Sequence, residues 1–202
     1  MKRTIIISLF IFSIEWVHAQ FAENHAIYFS KELNFGNYIG LNADLNYVYK
    51  ERFSLKIGYN GNIRKPKSQP EDYSSGLVKG ILLGLENPYD QMENYQIAFG
   101  KIGRLNKSGT VRINFLVGVG YTVIREPENW QKIESKSLIA ENYTWNYKRD
   151  NTASLIINPK IEFPLTWIFG LTVSPMLEIN KYSVYYGVGI GTMVGLLRKP
   201  VK

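Results

Sequence analysis

VRINFLVGVGYTVI, residues 111–124, is the stretch that decides the fold. Val111, Ile113, Phe115, Val117, Val119, Tyr121 and Val123 fall on one face, with Arg112, Asn114, Gly118, Gly120 and Thr122 among the alternate positions. Side chains point to opposite faces of a strand in turn, so this period of two predicts a β-strand. Length separates two kinds of strand. In soluble sheets they run about 5 to 6 residues, whereas a tilted strand that crosses a bilayer needs about 9 to 11. This one has the membrane length. Its apolar row would face lipid and its glycine-rich row the inside of a barrel, which is the alternation a transmembrane barrel needs.

The same alternation recurs along the chain. Residues 26–32 read as a weak strand followed by a tight connection at 33–36. Residues 36–49 and 53–63 make a hairpin about a charged turn at 50–52. A long connection at 64–93, with Pro66, Pro70, Pro88 and an apolar patch at 77–85, leads to a strand at 94–102. A polar turn at 104–110 precedes the opening stretch, and a second long connection spans 125–150. The spacing of Tyr143, Trp145 and Tyr147 predicts that the next strand projects beyond the membrane as a hairpin arm. Strands at 152–163, 169–180 and 184–197 follow, and Pro159 and Pro175 predict bulges or unpaired positions, because proline has no ladder donor. The fold class is all-β: an eight-stranded antiparallel up-and-down transmembrane β-barrel after a cleaved signal peptide. Short turns alternate with longer connections, as they do between the two ends of such barrels. Both termini are then periplasmic, with Tyr47, Tyr49, Phe53, Phe163, Trp167 and Phe169 as an aromatic belt at that interface.

Residues 1–19 read as an export signal: Lys2 and Arg3, an apolar run over 5–14, and Val17-His18-Ala19 before the cleavage point. The run is about ten residues, short of the roughly 20 of a membrane helix. Residues 20–202 form one barrel domain, in the outer membrane of a Gram-negative cell. Without Lys2, Arg3 and Glu15 the chain has 22 basic and 16 acidic residues, a net +6 that is scattered among acids. Nucleic-acid binding would need a basic face, so none is expected. Cysteine is absent, which excludes disulfides, thiolate metal sites and an acylated N-terminal cysteine. The two histidines, His18 in the signal and His25 at the mature start, supply neither a metal cluster nor a credible triad, so no catalytic, metal or cofactor site is expected. The glycines at 118, 120, 187, 189 and 191 recur every second residue with no helix after them, which makes them space-givers inside a barrel rather than a nucleotide loop.

Six charges lie on predicted inward rows: Asp44, Lys56, Arg112, Lys160, Glu162 and Glu178. An eight-stranded barrel is just wide enough for its side chains to fill, and buried charges must be paired. A filled interior is therefore expected over a pore or a proton relay. If Tyr49 opposes Phe53, Asp44 is a diagonal neighbour of Lys56 across the hairpin. Trp130, Tyr143 and Trp145 are candidate contact residues of the outer loops, with packing inside those loops as their other reading.

The signal ending Val-His-Ala, the alternating strands and the long outer loops resemble small eight-stranded outer-membrane barrels of the OmpA-transmembrane and OmpX kind. They are similar in particular to uncharacterised outer-membrane β-barrel proteins of Bacteroidota. The likeness covers residues 26–197 as a pattern. One departure is the chain end, Leu196-Leu197-Arg198-Lys199-Pro200-Val201-Lys202, where such barrels often finish on an aromatic residue. A monomer without enzymatic activity is expected, and the resemblance implies a role as envelope anchor, adhesion or defence protein, or narrow channel. Three functions stay open: a surface protein whose loops meet lipopolysaccharide, an extracellular protein or another cell; a passive porin-like channel; and a soluble periplasmic barrel with its apolar rows turned inward around a ligand.

Overall fold

The computed structural model describes residues 24–75, 87–106, 108–134 and 141–197. The export signal at 1–19 and the apolar patch at 77–85 lie outside the described residues. Eight strands, β1 (His25–Gly36), β2 (Ile39–Tyr49), β3 (Phe53–Arg64), β4 (Asp90–Arg104), β5 (Arg112–Lys132), β6 (Tyr143–Pro164), β7 (Phe169–Asn180) and β8 (Val184–Leu196), pair each with the next. β8 returns antiparallel to β1 and closes the barrel. Closure leaves no edge, so the ladders satisfy the backbone that lipid cannot.

The polarity is inverted. Leu41, Phe99, Val119 and Ile190 are 56–62% exposed on the outside, while Asp44, Lys56, Asn60 and Glu162 are fully buried within. Water would penalise such an apolar exterior and lipid does not, so the barrel is an integral membrane protein. This overturns the soluble reading, which needs the apolar rows to line a cup.

The turns at 50–52, 105–111 and 165–168 gather at one end with the start of β1 and the close of β8. The longer connections at 65–89 and 133–142 are at the other end, beside tight links at Asn37–Tyr38 and 181–183. The expected connection at 33–36 is therefore corrected: Leu33 to Gly36 belong to β1, whose row continues through Asn34 on the inner face. Tyr49 opposes Phe53, and the hairpin between them has Lys50 and Glu51 both at φ 50 with Arg52 N–H bonded to the Tyr49 carbonyl at 3.0 Å. Two left-handed residues in a row match the twist of the flanking strands.

The prolines act on one seam. Pro159 pairs with Phe115 on β5, and Pro175 with Val188 on β8. Between β6 and β7 the ladder is broken into two blocks, 154–157 with 177–180 and 161–164 with 170–173. The gap is centred on the two prolines, neither of which has an N–H to offer. Asn158 partly fills it by donating to the Pro175 carbonyl at 2.9 Å.

Candidate functional site

The centre of the lumen is held by Lys160, whose ammonium on β6 lies 2.7 Å from Asp44 and 2.9 Å from Glu32. Lys56, on β3, donates to Asn158 at 2.8 Å and lies 3.6 Å from Asp44. It opposes Asn46, with Asp44 opposite Gly58, which is the diagonal that the Tyr49–Phe53 register dictates. Asn42 bonds both carboxylates, Gln96 bonds Asp44, and Ser174 bonds Glu32. Two acids and two bases thus neutralise each other, each with further hydrogen bonds, as buried ions require. Glycine makes the room: a Cβ on Gly189 would lie 2.7 Å from Ser174 Oγ and 2.8 Å from Glu32 Oε2.

The other predicted charges stand apart from this centre. Arg112 pairs with Glu162 at 2.6 Å near the turn end and donates to the Leu197 carbonyl, while Tyr28 donates to Glu162. Glu178, nearer the loop end, accepts from Thr122, Ser154 and Asn94 at 2.8 to 3.1 Å and pairs with no cation among the described residues. The three groups share no side-chain bond among those residues. An apolar layer closes each end, Ala26, Tyr28, Val48, Ile102, Met193 and Leu197 at the turn end, and Tyr38, Met92, Ile124, Ile156, Met176 and Tyr185 at the loop end. Arg64 lies 4.3 Å over the Tyr38 ring and is tied to Asp90.

Outside, Tyr59, Tyr95 and Tyr121 stand side by side in register, giving the loop end an aromatic girdle of its own. Beyond it β5 and β6 keep pairing as far as Lys132 and Tyr143, about 35 Å of strand at 3.3 Å per residue. The expected connection at 125–150 is corrected accordingly: most of it is this projecting arm. A bulge between Glu128 and Gln131, with Asn129 at φ 57, re-aims Trp130. Trp130, Tyr143 and Trp145 lie on the strands of the arm, where they meet one another and Tyr73 of the β3–β4 connection at ring distances of 5.5 to 6.5 Å. Polar ties strap that connection down: Trp130 Nε1 donates to Ser68, Asn142 to the Asp72 carbonyl, and Lys132 and Tyr143 both bond Asp72. The Lys132 and Tyr143 bonds hold the Asp72 carboxyl below the usual aspartate range, and Asp72 in turn raises both partners. Burial and the Glu141 hydrogen bond push Tyr73 up.

His25 bonds Tyr47 at 2.8 Å and stacks on its ring at the turn end. Among the described residues no three His, Cys, Asp or Glu side chains gather as metal ligands.

No family model and no curated protein matches this sequence. Solved structures do. A major outer membrane protein from Thermus thermophilus matches at TM-score 0.53 and 10% identity, over 85% of this chain and 99% of that one. By fold this is a small outer-membrane β-barrel. Ail, the attachment invasion locus protein of Yersinia pestis, matches at TM-score 0.49 and 11% identity over 86% and 98% of the two chains. Neisserial surface protein A matches at TM-score 0.46 and 8% identity over 84% and 94%.

Several residues of this barrel escaped the sequence reading. Glu32 is the second acid of the central cluster, hidden because the first strand reads as ending there. Tyr73 and Asp72 sit in a proline-rich connection with no period to place them. The Tyr59–Tyr95–Tyr121 girdle had a signal, since each tyrosine is on its strand's apolar row, but aligning them needs the register.

Proposed function

We propose that the protein is a non-enzymatic resident of the outer membrane, with a structurally filled lumen and a β5–β6 arm that presents a contact surface to an extracellular protein or another cell. The arm carries the reading. A barrel needs only enough strand to cross the apolar band, about 25 Å tall, and this hairpin continues well past the girdle with a second connection fastened to it. Binding residues fall disproportionately on connections that a rigid scaffold positions. Tyr147, 42% exposed, and Ile133, 37% exposed, are apolar positions left open on the arm. The filled, doubly capped lumen supports a structural interior over a channel.

The test shortens the arm by replacing residues 127–147 with Asn-Gly, which closes the hairpin on the Glu126–Lys148 pair. The shortened barrel is expected to keep its heat-dependent electrophoretic shift in the outer-membrane fraction, while attachment of expressing cells to other cells and to immobilised extracellular protein falls to that of cells lacking it. Trp130→Ala with Trp145→Ala should weaken attachment in the same direction by releasing the strap. Undiminished attachment by the shortened barrel refutes the proposal.

A further inference from the structure

The outer wall has an unbalanced place. The tyrosine row ends at Ala153, the partner of Tyr121, so the wall steps in where a large side chain would continue the girdle. A groove of about 510 Å³ lies there, lined on its outer face by Ile57, Tyr95, Ile97, Val119, Tyr121 and Ala153. Four residues further along β5 and β6, Arg125 and Arg149 are directly paired on the same face. Like charges opposite one another destabilise a ladder. Glu93 answers one of them, at 2.7 Å from Arg125. Arg149 is exposed and has no hydrogen-bond or ion-pair partner among the described residues. The patch therefore keeps one uncompensated guanidinium just beyond the girdle, at the height where lipid headgroups meet the barrel.

We infer that this face binds a phosphorylated lipid of the outer leaflet, namely lipid A: an acyl chain in the groove beside Tyr121 and Ala153, and a phosphate on Arg149 with Arg125 beside it. Guanidinium offers phosphate a two-pronged set of donors, and an anion there relieves the repulsion that the register builds in. The span fits: four residues of strand are about 13 Å, so a headgroup at the arginines stands within reach of an acyl chain lying in the groove.

The full chain, purified from the outer-membrane fraction in detergent, is titrated by native mass spectrometry with bis-phosphorylated lipid A, dephosphorylated lipid A and phosphatidylglycerol. One lipid A is expected to be retained, with binding about tenfold weaker for Arg149→Gln and for the dephosphorylated lipid. Ala153→Trp, which fills the groove from the outside, should weaken it as well while the heat-dependent shift persists. Undiminished binding by either variant overturns the site, and phosphatidylglycerol bound as tightly as lipid A overturns its assignment to lipid A.

Discussion

Replacing Lys160 with methionine tests whether the lumen is held by charge balance. The side chain is buried, and its ammonium makes two short bonds to carboxylates, at 2.7 Å and 2.9 Å. Methionine keeps the bulk and removes the charge, leaving Asp44 and Glu32 with Lys56 alone. Breaking a buried pair by removing one partner costs about 3 to 5 kcal/mol, a shift of the folding equilibrium between roughly a hundredfold and several thousandfold. Asp44→Asn in the same chain restores one acid and one base, Glu32 and Lys56, so the double variant should lose less than about 2 kcal/mol, well short of the sum of the singles. Urea unfolding and refolding in detergent micelles, followed by tryptophan fluorescence and by boiled against unboiled electrophoresis, gives the three free energies. A loss below about 1 kcal/mol for Lys160→Met, or strictly additive losses, would show that the cluster is hydrated and that the charge-balance argument is mistaken.

Lys50→Asn with Glu51→Gly should stabilise the β2–β3 hairpin by about 1 kcal/mol in the same assay, since both residues now hold left-handed backbone that asparagine and glycine adopt readily. The lost surface pair of Glu51 with Arg104 offsets little of this. The strap on the arm should respond to acid. Asp72 has a lower pKa folded than unfolded, so its contribution is complete above the ordinary aspartate range and disappears as pH falls through the depressed folded value. Fluorescence of Trp130 and Trp145 should report release in that acid window, and Asp72→Asn should release the strap at neutral pH and remove the transition. In planar bilayers the purified barrel should pass no steady current, because two apolar layers cap its charged centre; sustained single-channel steps would contradict the filled lumen.

Most of the barrel was legible because a membrane strand must satisfy two solvents at once. β7 runs over residues 169–180 in sequence and structure alike, since its apolar and polar rows alternate without interruption apart from Pro175. Legibility stops where the lipid does. Beyond Val123, β5 has no apolar row to keep, and Arg125-Glu126-Pro127-Glu128 reads as loop although it is paired strand. Inside, inward position could be read for Asp44, Lys56 and Lys160, and the Asp44–Lys56 diagonal followed from the hairpin register, but the partners of Lys160 could not be read. Lys160 and Glu32 are 128 residues apart and meet across the lumen, a relation that no local period encodes. The strap of Tyr73 on Trp130 fails for the same reason: two irregular segments meet through geometry that only the closed barrel supplies.

The broken ladder between β6 and β7 also bears on how the wall would fail under load. Strands that are fully laced share a pull among many bonds at once. A seam interrupted at its middle transmits the pull to two short patches, which give way one after the other. Drawn from its C-terminal end by an atomic-force cantilever, the barrel should therefore release β7 and β8 together as one piece, parting along the two prolines, rather than shedding its strands singly.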